Sequence, residues 1–200
     1  MLLGIVTSKS LHDDARFGAV VGARDIAVAR VAFEDGGGLK ALAPANLRRE
    51  HFTLAHEGVL ADIALLRRRI SPRRAFQIES DAHADSLFAY LLSHVDSAET
   101  MDGALERAVV DIASSGLRGN FSFVLGTAES MYVHCAGSDI GVVKRADAVI
   151  ASSESFTSEA RCHLSSGALL RVDRGATVGW RLLCGCVDTP SSRPELPFTD

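Results

Sequence analysis

Apolar residues change their spacing twice along this chain. Leu2 to Val6 is an unbroken apolar run that reads as a short buried strand, and Ile26, Val28 and Val31 recur at strand spacing between Asp25 and Glu34. A third run, Phe52 to Ala55, ends in His56, Glu57 and Gly58. Val59, Ile63, Leu66 and Ile70 then fall at helical intervals. The pattern predicts a strand to Ala55, a tight turn at Gly58 and a helix from Val59 to Ile70, with His56 and Glu57 held at the junction. Ser71-Pro72 stops that helix, and Arg73 to Glu79 leads into a second. Leu87, Phe88, Leu91, Leu92 and Val95 share one helical face, and Leu105, Ala108, Val109 and Ile112 share another, with Gly116 as a terminator. These two are expected to form one antiparallel layer.

From Gly119 the period becomes two. Phe121, Phe123 and Leu125 alternate with their neighbours, and Met131 to Cys135, Ile140 to Lys144 and Ala148 to Ala151 complete what reads as a four-strand meander. Ala168 to Val172 and Thr177 to Leu183 add two strands. A short helix over Asp14 to Ala23, a turn at Gly36 to Gly38 and a helical turn over Ser153 to Ala160 fill the connections. The turn at Gly36 to Gly38 lacks the lysine and following helix of a phosphate loop. Strands, then helices, then strands again give an α+β domain over residues 1–186, with the proline-containing segment 187–200 as a tail. There is no internal repeat.

Composition narrows the function classes. The 200 residues are 47% hydrophobic, enough for one substantial core. A net charge of −4 and pI near 6.0 provide no field for nucleic acid or an anionic membrane. The cluster Arg67, Arg68, Arg69, Arg73 and Arg74 reads as a solvated helix end. No apolar run reaches the roughly 20 residues of a membrane span, and no signal peptide is evident. Cys135, Cys162, Cys184 and Cys186 lack zinc-site spacing and read as reduced thiols of a cytoplasmic protein.

Several passages, in order, resemble the class II glutamine amidotransferase domain of the N-terminal nucleophile hydrolase superfamily. Leu2-Leu3-Gly4-Ile5-Val6 is similar to the opening strand of that family, which there begins Met-Cys-Arg-Leu-Leu-Gly. Phe52 to Gly58 resembles its Phe-Ala-His-Asn-Gly segment, and Asp81 to Leu92 its Asp-Thr-Asp-Ser-Glu helix start. Asn120 to Leu125 and Val149 to Glu154 resemble its Asn-Phe-Leu-Leu and Val-Ala-Ser-Glu-Pro strands. The resemblance implies a four-layer αββα sandwich, here truncated. It also implies a chemistry in which an N-terminal cysteine attacks an amide and its own α-amino group acts as the base. An Asn and a backbone N–H stabilise the oxyanion, an Arg binds the substrate carboxylate and an Asp its amino group.

At each of these positions the sequence departs from the family pattern. Leu2 follows Met1 where the family has cysteine. The family's Asn-Pro-His-Gly-Trp-Gly region is skipped between Ser10 and Asp13. Arg30 and Ala32 stand where the resemblance places the His and Arg of His-Val-Arg. Glu57 replaces the Asn of His-Asn-Gly, and His83 falls near the substrate-binding Asp. A carboxylate at position 57 repels an oxyanion, whereas removing one donor already costs about 10²–10³ in rate. The expectation is therefore an inactive, amidotransferase-like protein that binds, regulates or scaffolds an unknown protein partner, self-associates, and carries no catalytic residue, cofactor or metal. The alternative is a hydrolase of altered chemistry in which His56, Glu57 and His83 converge with Asp81 or Asp85, the two histidines serving as metal ligands. Ser152, Ser153 and Cys135 lack the context of a nucleophile and read as core or rim residues.

Overall fold

The computed structural model describes residues 2–7, 26–33, 39–41, 47–79, 83–117, 119–137, 140–144, 148–153, 162–174 and 179–184, and up to Arg48 the backbone path alone. Twelve strands form among these residues: β1 (Leu2–Thr7), β2 (Ile26–Phe33), β3 (Leu39–Ala41), β4 (Leu47–Arg49), β5 (Phe52–Leu60), β6 (Gly119–Gly126), β7 (Ser130–His134), β8 (Ile140–Lys144), β9 (Ala148–Ser152), β10 (Cys162–Leu164), β11 (Leu169–Asp173) and β12 (Gly179–Cys184). The helices are α1 (Ile63–Arg67), α2 (Pro72–Ala75), α3 (His83–Asp96) and α4 (Met101–Ser114).

The strands build two six-stranded sheets, in the orders β10-β8-β9-β1-β2-β3 and β12-β11-β7-β6-β5-β4. Neighbours are antiparallel throughout both. β1 and β2 of the first sheet lie across β5 and β6 of the second, so the sheets stack face to face. Strand alternation divides the second sheet cleanly. Leu54, Leu60, Phe121, Phe123, Leu125 and Tyr132 pack beneath α3 and α4. Ala55, Val124, Met131 and Val133 point the other way, into a core shared with Val142, Val149 and Ala151 of the first sheet. Helices on one outer face and two stacked sheets give the expected α+β architecture. The helix expected over Asp14 to Ala23, the turn at Gly36 to Gly38, the helical turn expected over Ser153 to Ala160 apart from Ser153 itself, the tail over 187–200 and Met1 fall outside the described residues.

Three expectations are corrected. The strand containing His56 does not turn at Gly58: β5 pairs with β6 in unbroken register from Thr53↔Gly126 to Leu60↔Gly119. Gly58 stays in the ladder at φ +98°, a left-handed value that a residue without Cβ adopts freely. The helical spacing of Val59 and Ile63 is thus coincidental. The helix starts only after Asp62, whose carboxylate accepts the Leu65 N–H at 3.0 Å. The stretch leading to the second expected helix, α3, adds a single helical turn of its own, Pro72–Ala75, with Pro72 at its start and Ser71 as its cap. Finally, the four strands from Gly119 are no meander in one sheet. β6 and β7 belong to the second sheet and β8 and β9 to the first, so the chain changes sheets between His134 and Ile140.

Close approach at the β5–β6 end explains one further residue. A Cβ on Gly119, at φ +145°, would sit 2.1 Å from the Val59 carbonyl oxygen. Only glycine lets β6 start pairing there.

Candidate functional site

β5 carries the residues singled out by sequence, and its alternation sends them in opposite directions. His56 lies on the helix side, opposite Phe123, which is itself opposite His134. The three form a row across the sheet beneath the helix layer. His56 is 7% exposed and His134 2%. The His134 ring lies 5.2 Å from those of Phe121 and Phe123, and its Nδ1 is 3.0 Å from the Ala168 carbonyl oxygen, to which an Nδ1–H would donate. Burial among these rings pushes the His134 imidazole down to about 4, and the Ala168 hydrogen bond offsets only part of that. It is neutral at physiological pH.

Glu57 lies on the other side, between the sheets. Its partner across the ladder is Ser122, flanked by Phe121 and Phe123, whose side chains point to the helices. The Ser122 hydroxyl accepts the Ala136 N–H at 3.1 Å. Glu57 Oε2 is buried and has no hydrogen-bond partner. Along this face of β5 exposure rises from Ala55 at 1% to half-buried Glu57 to Val59 at 60%. The wall that β5 gives to the space between the sheets therefore passes from core to solvent toward this end of the strand.

His83 opens α3, on the far side of the second sheet from Glu57, and its Nδ1 is buried without a partner. Alternation does not bring His56, Glu57 and His83 together, and Asp81 falls outside the described residues. Asp85 is engaged elsewhere: it accepts from the Arg49 guanidinium and from the Glu79 N–H at 2.8 Å. Among the described residues, no group of three or more His, Cys, Asp and Glu is set to hold a metal ion. Leu2 heads β1 opposite Arg30, and Ala32 pairs with Lys40. The side chains at Leu2, Arg30 and Ala32 fall outside the described residues, as does Met1. Ser152 is buried on β9, between Leu3 and Gly141. The Cys135 thiol is buried and donates to the Leu164 carbonyl at 3.3 Å, as a core residue does.

The arginine cluster stands at the surface as expected at Arg68, Arg69 and Arg73, and departs from that expectation at Arg74. Arg74 is 1% exposed. It donates to both Asp96 oxygens at 2.7 Å, to Glu50 at 2.9 Å and to Gln77 at 3.0 Å. Those bonds hold the Asp96 carboxyl below its ordinary range. Arg69 meets Asp111 at 2.5 Å, Asp111 also accepts from the Tyr90 hydroxyl at 2.7 Å, and Arg67 donates to Ser86 at 2.9 Å. The acidic partners lie on other elements, so no local spacing within α1 or α2 marks these pairs in advance. Arg73, 69% exposed along its side chain, does remain at the surface.

No family model matches the chain, and no curated protein does. Solved structures share its fold. A protein described as a glutamine aminotransferase class-II domain protein from Silicibacter pomeroyi is 13% identical with a TM-score of 0.61, covering 90% of this chain and 97% of that one. Glutamine phosphoribosylpyrophosphate amidotransferase from B. subtilis, complexed with ADP and GMP, is 14% identical with a TM-score of 0.57, over 91% of this chain and 43% of its own. A structure described as the allosteric regulatory enzyme of purine biosynthesis is 16% identical with a TM-score of 0.54, over 91% and 43%. The chain thus spans nearly all of the first and less than half of the other two. It has the class II glutamine amidotransferase fold. Among the described residues no helix is long and apolar enough to cross a membrane.

Proposed function

We propose that this chain is a catalytically inactive, amidotransferase-like protein that acts by binding, as a regulator or scaffold for a protein partner. The observation that carries this reading is Glu57. It stands at the Asn position of the resembled His-Asn-Gly segment, and its buried oxygen faces the space between the sheets. A tetrahedral intermediate needs hydrogen-bond donors; a carboxylate supplies only acceptors and negative charge. Ala32, at the position aligned with the carboxylate-binding Arg, adds support.

The test is direct. Purified protein incubated with glutamine or γ-glutamyl peptides is expected to release neither ammonia nor glutamate; turnover that Glu57→Ala abolishes would overturn the reading. Self-association is part of the proposal, since Phe76 is 92% exposed and closed dimers are the commonest assembly. A monomeric mass by light scattering across micromolar concentrations would remove it. The hydrolase alternative is not favoured, because His56 and Glu57 occupy opposite faces of one strand.

A further inference from the structure

We infer that the opening between the sheets beside β5 binds an organic cation, a protonated amine or guanidinium that donates to Glu57 while its hydrocarbon part lies on Val59. The inference deepens the inactive-site reading and rests on it.

Three observations meet at this place. The first is the exposure gradient on one face of one strand: Ala55 is sealed at 1%, and four residues later Val59 is open at 60%. At about 3.3 Å per residue, core passes to solvent within about 13 Å, and Glu57 lies midway. Its carboxylate therefore sits just inside an entrance. The second is the buried Oε2, which accepts nothing. An ionised carboxylate has only acceptor capacity, so a group arriving there must bring N–H or O–H, and a positively charged donor forms the stronger bond. Ser122, the nearest neighbour across the ladder, already accepts from the Ala136 backbone. Arg49, Arg69, Arg74 and Arg171 are each paired with other carboxylates. The third is Val59, an apolar side chain presented on the same face two residues on and largely open to water. A cation that also carries a short hydrocarbon chain covers both features, whereas a bare metal ion covers only the acid. Anionic ligands meet like charge at Glu57, so the site reverses the preference expected of a carboxylate-binding pocket.

Calorimetric titration and thermal-shift measurements with n-butylammonium and agmatine, against butyrate and 1-butanol, test the inference on the full chain. Saturable binding of the two cations with no binding of butyrate is expected. Glu57→Gln, which preserves shape and removes the charge, should weaken the cations about tenfold or more. Val59→Ser should weaken n-butylammonium by a smaller factor, about two- to fivefold. Absence of saturable cation binding, or equal binding to Glu57→Gln of unchanged circular dichroism, overturns the inference. A parallel ammonia assay with glutamine separates the two levels. Failed cation binding without ammonia release sinks this inference alone, whereas ammonia release that Glu57→Ala abolishes sinks the inactive-site reading beneath it.

Discussion

Arg74 and Glu57 are both charged side chains drawn into the molecule, and the fold treats them differently. Arg74 has acceptors from three directions: Asp96 at the end of α3, Glu50 in the β4–β5 hairpin and Gln77 just beyond α2. It ties the connection after α1 to the helix layer and the sheet edge. Glu57 has a buried oxygen and no donor. Satisfied groups of the first kind organise the chain. One left unanswered beside an opening, with no structural bond to make, fits contact with something outside the chain. The same division separates the two faces of β5: buried at Leu54, His56 and Leu60 on the helix side, open at one end on the other.

Four measurements test this difference between Arg74 and Glu57. The largest effect should come from the sealed face, where Phe88 is fully buried beneath Arg49, whose guanidinium lies 5.4 Å from the ring centroid. Phe88→Ala is expected to destabilise by about 4 kcal/mol in urea denaturation; a loss under about 1 kcal/mol would mean that the helix layer is loosely seated. Arg74→Met should remove about 3 kcal/mol, toward the low end for breaking a buried pair because the side chains of Glu50 and Asp96 remain 40% and 25% exposed.

Acidification comes next. The His134 imidazole is lowered from 6.5 to about 4 in the fold, so the unfolded chain binds the proton more readily between those values. Its contribution is complete above pH 6.5 and is lost as pH falls toward 4, up to about 3 kcal/mol. Burial lowers His94 as well, which acts in the same direction. His134→Phe should flatten the stability profile over that interval, and an unchanged slope would assign it to other groups. The smallest effect belongs to Glu57: Glu57→Gln should alter unliganded stability by no more than about 0.5 kcal/mol, or raise it, because no native bond is lost. A loss as large as that of Arg74→Met would show that Glu57 has a structural partner after all and would erase the contrast.

Much of the fold was legible from spacing. The apolar faces of α3 and α4 and the alternation of β6 and β7 are long, regular signals, and the structure has those elements where they were expected. β3, β4 and β10 were missed because three residues are too few to show a period. Val59 misled because its spacing to Ile63 satisfies a helix, while the ladder to Asn120 that keeps it in a strand is a tertiary fact. At the site, the junction of His56 and Glu57 was legible, but their opposed directions were not. A turn at Gly58 would have freed both side chains, whereas a continuous strand fixes one inward and one toward the helices. The Arg74 cluster was read as solvated because its partners Glu50 and Asp96 lie 24 and 22 residues away.

β1 sits between β2 and β9 in the middle of its sheet, and its registers run from Leu2↔Arg30 on one edge to Leu3↔Ser152 on the other. During synthesis, β1 must therefore wait with one side bare until β9 has left the ribosome. That exposed edge is where a stalled or truncated nascent product would stick to its neighbours, and where a chaperone would find a client segment.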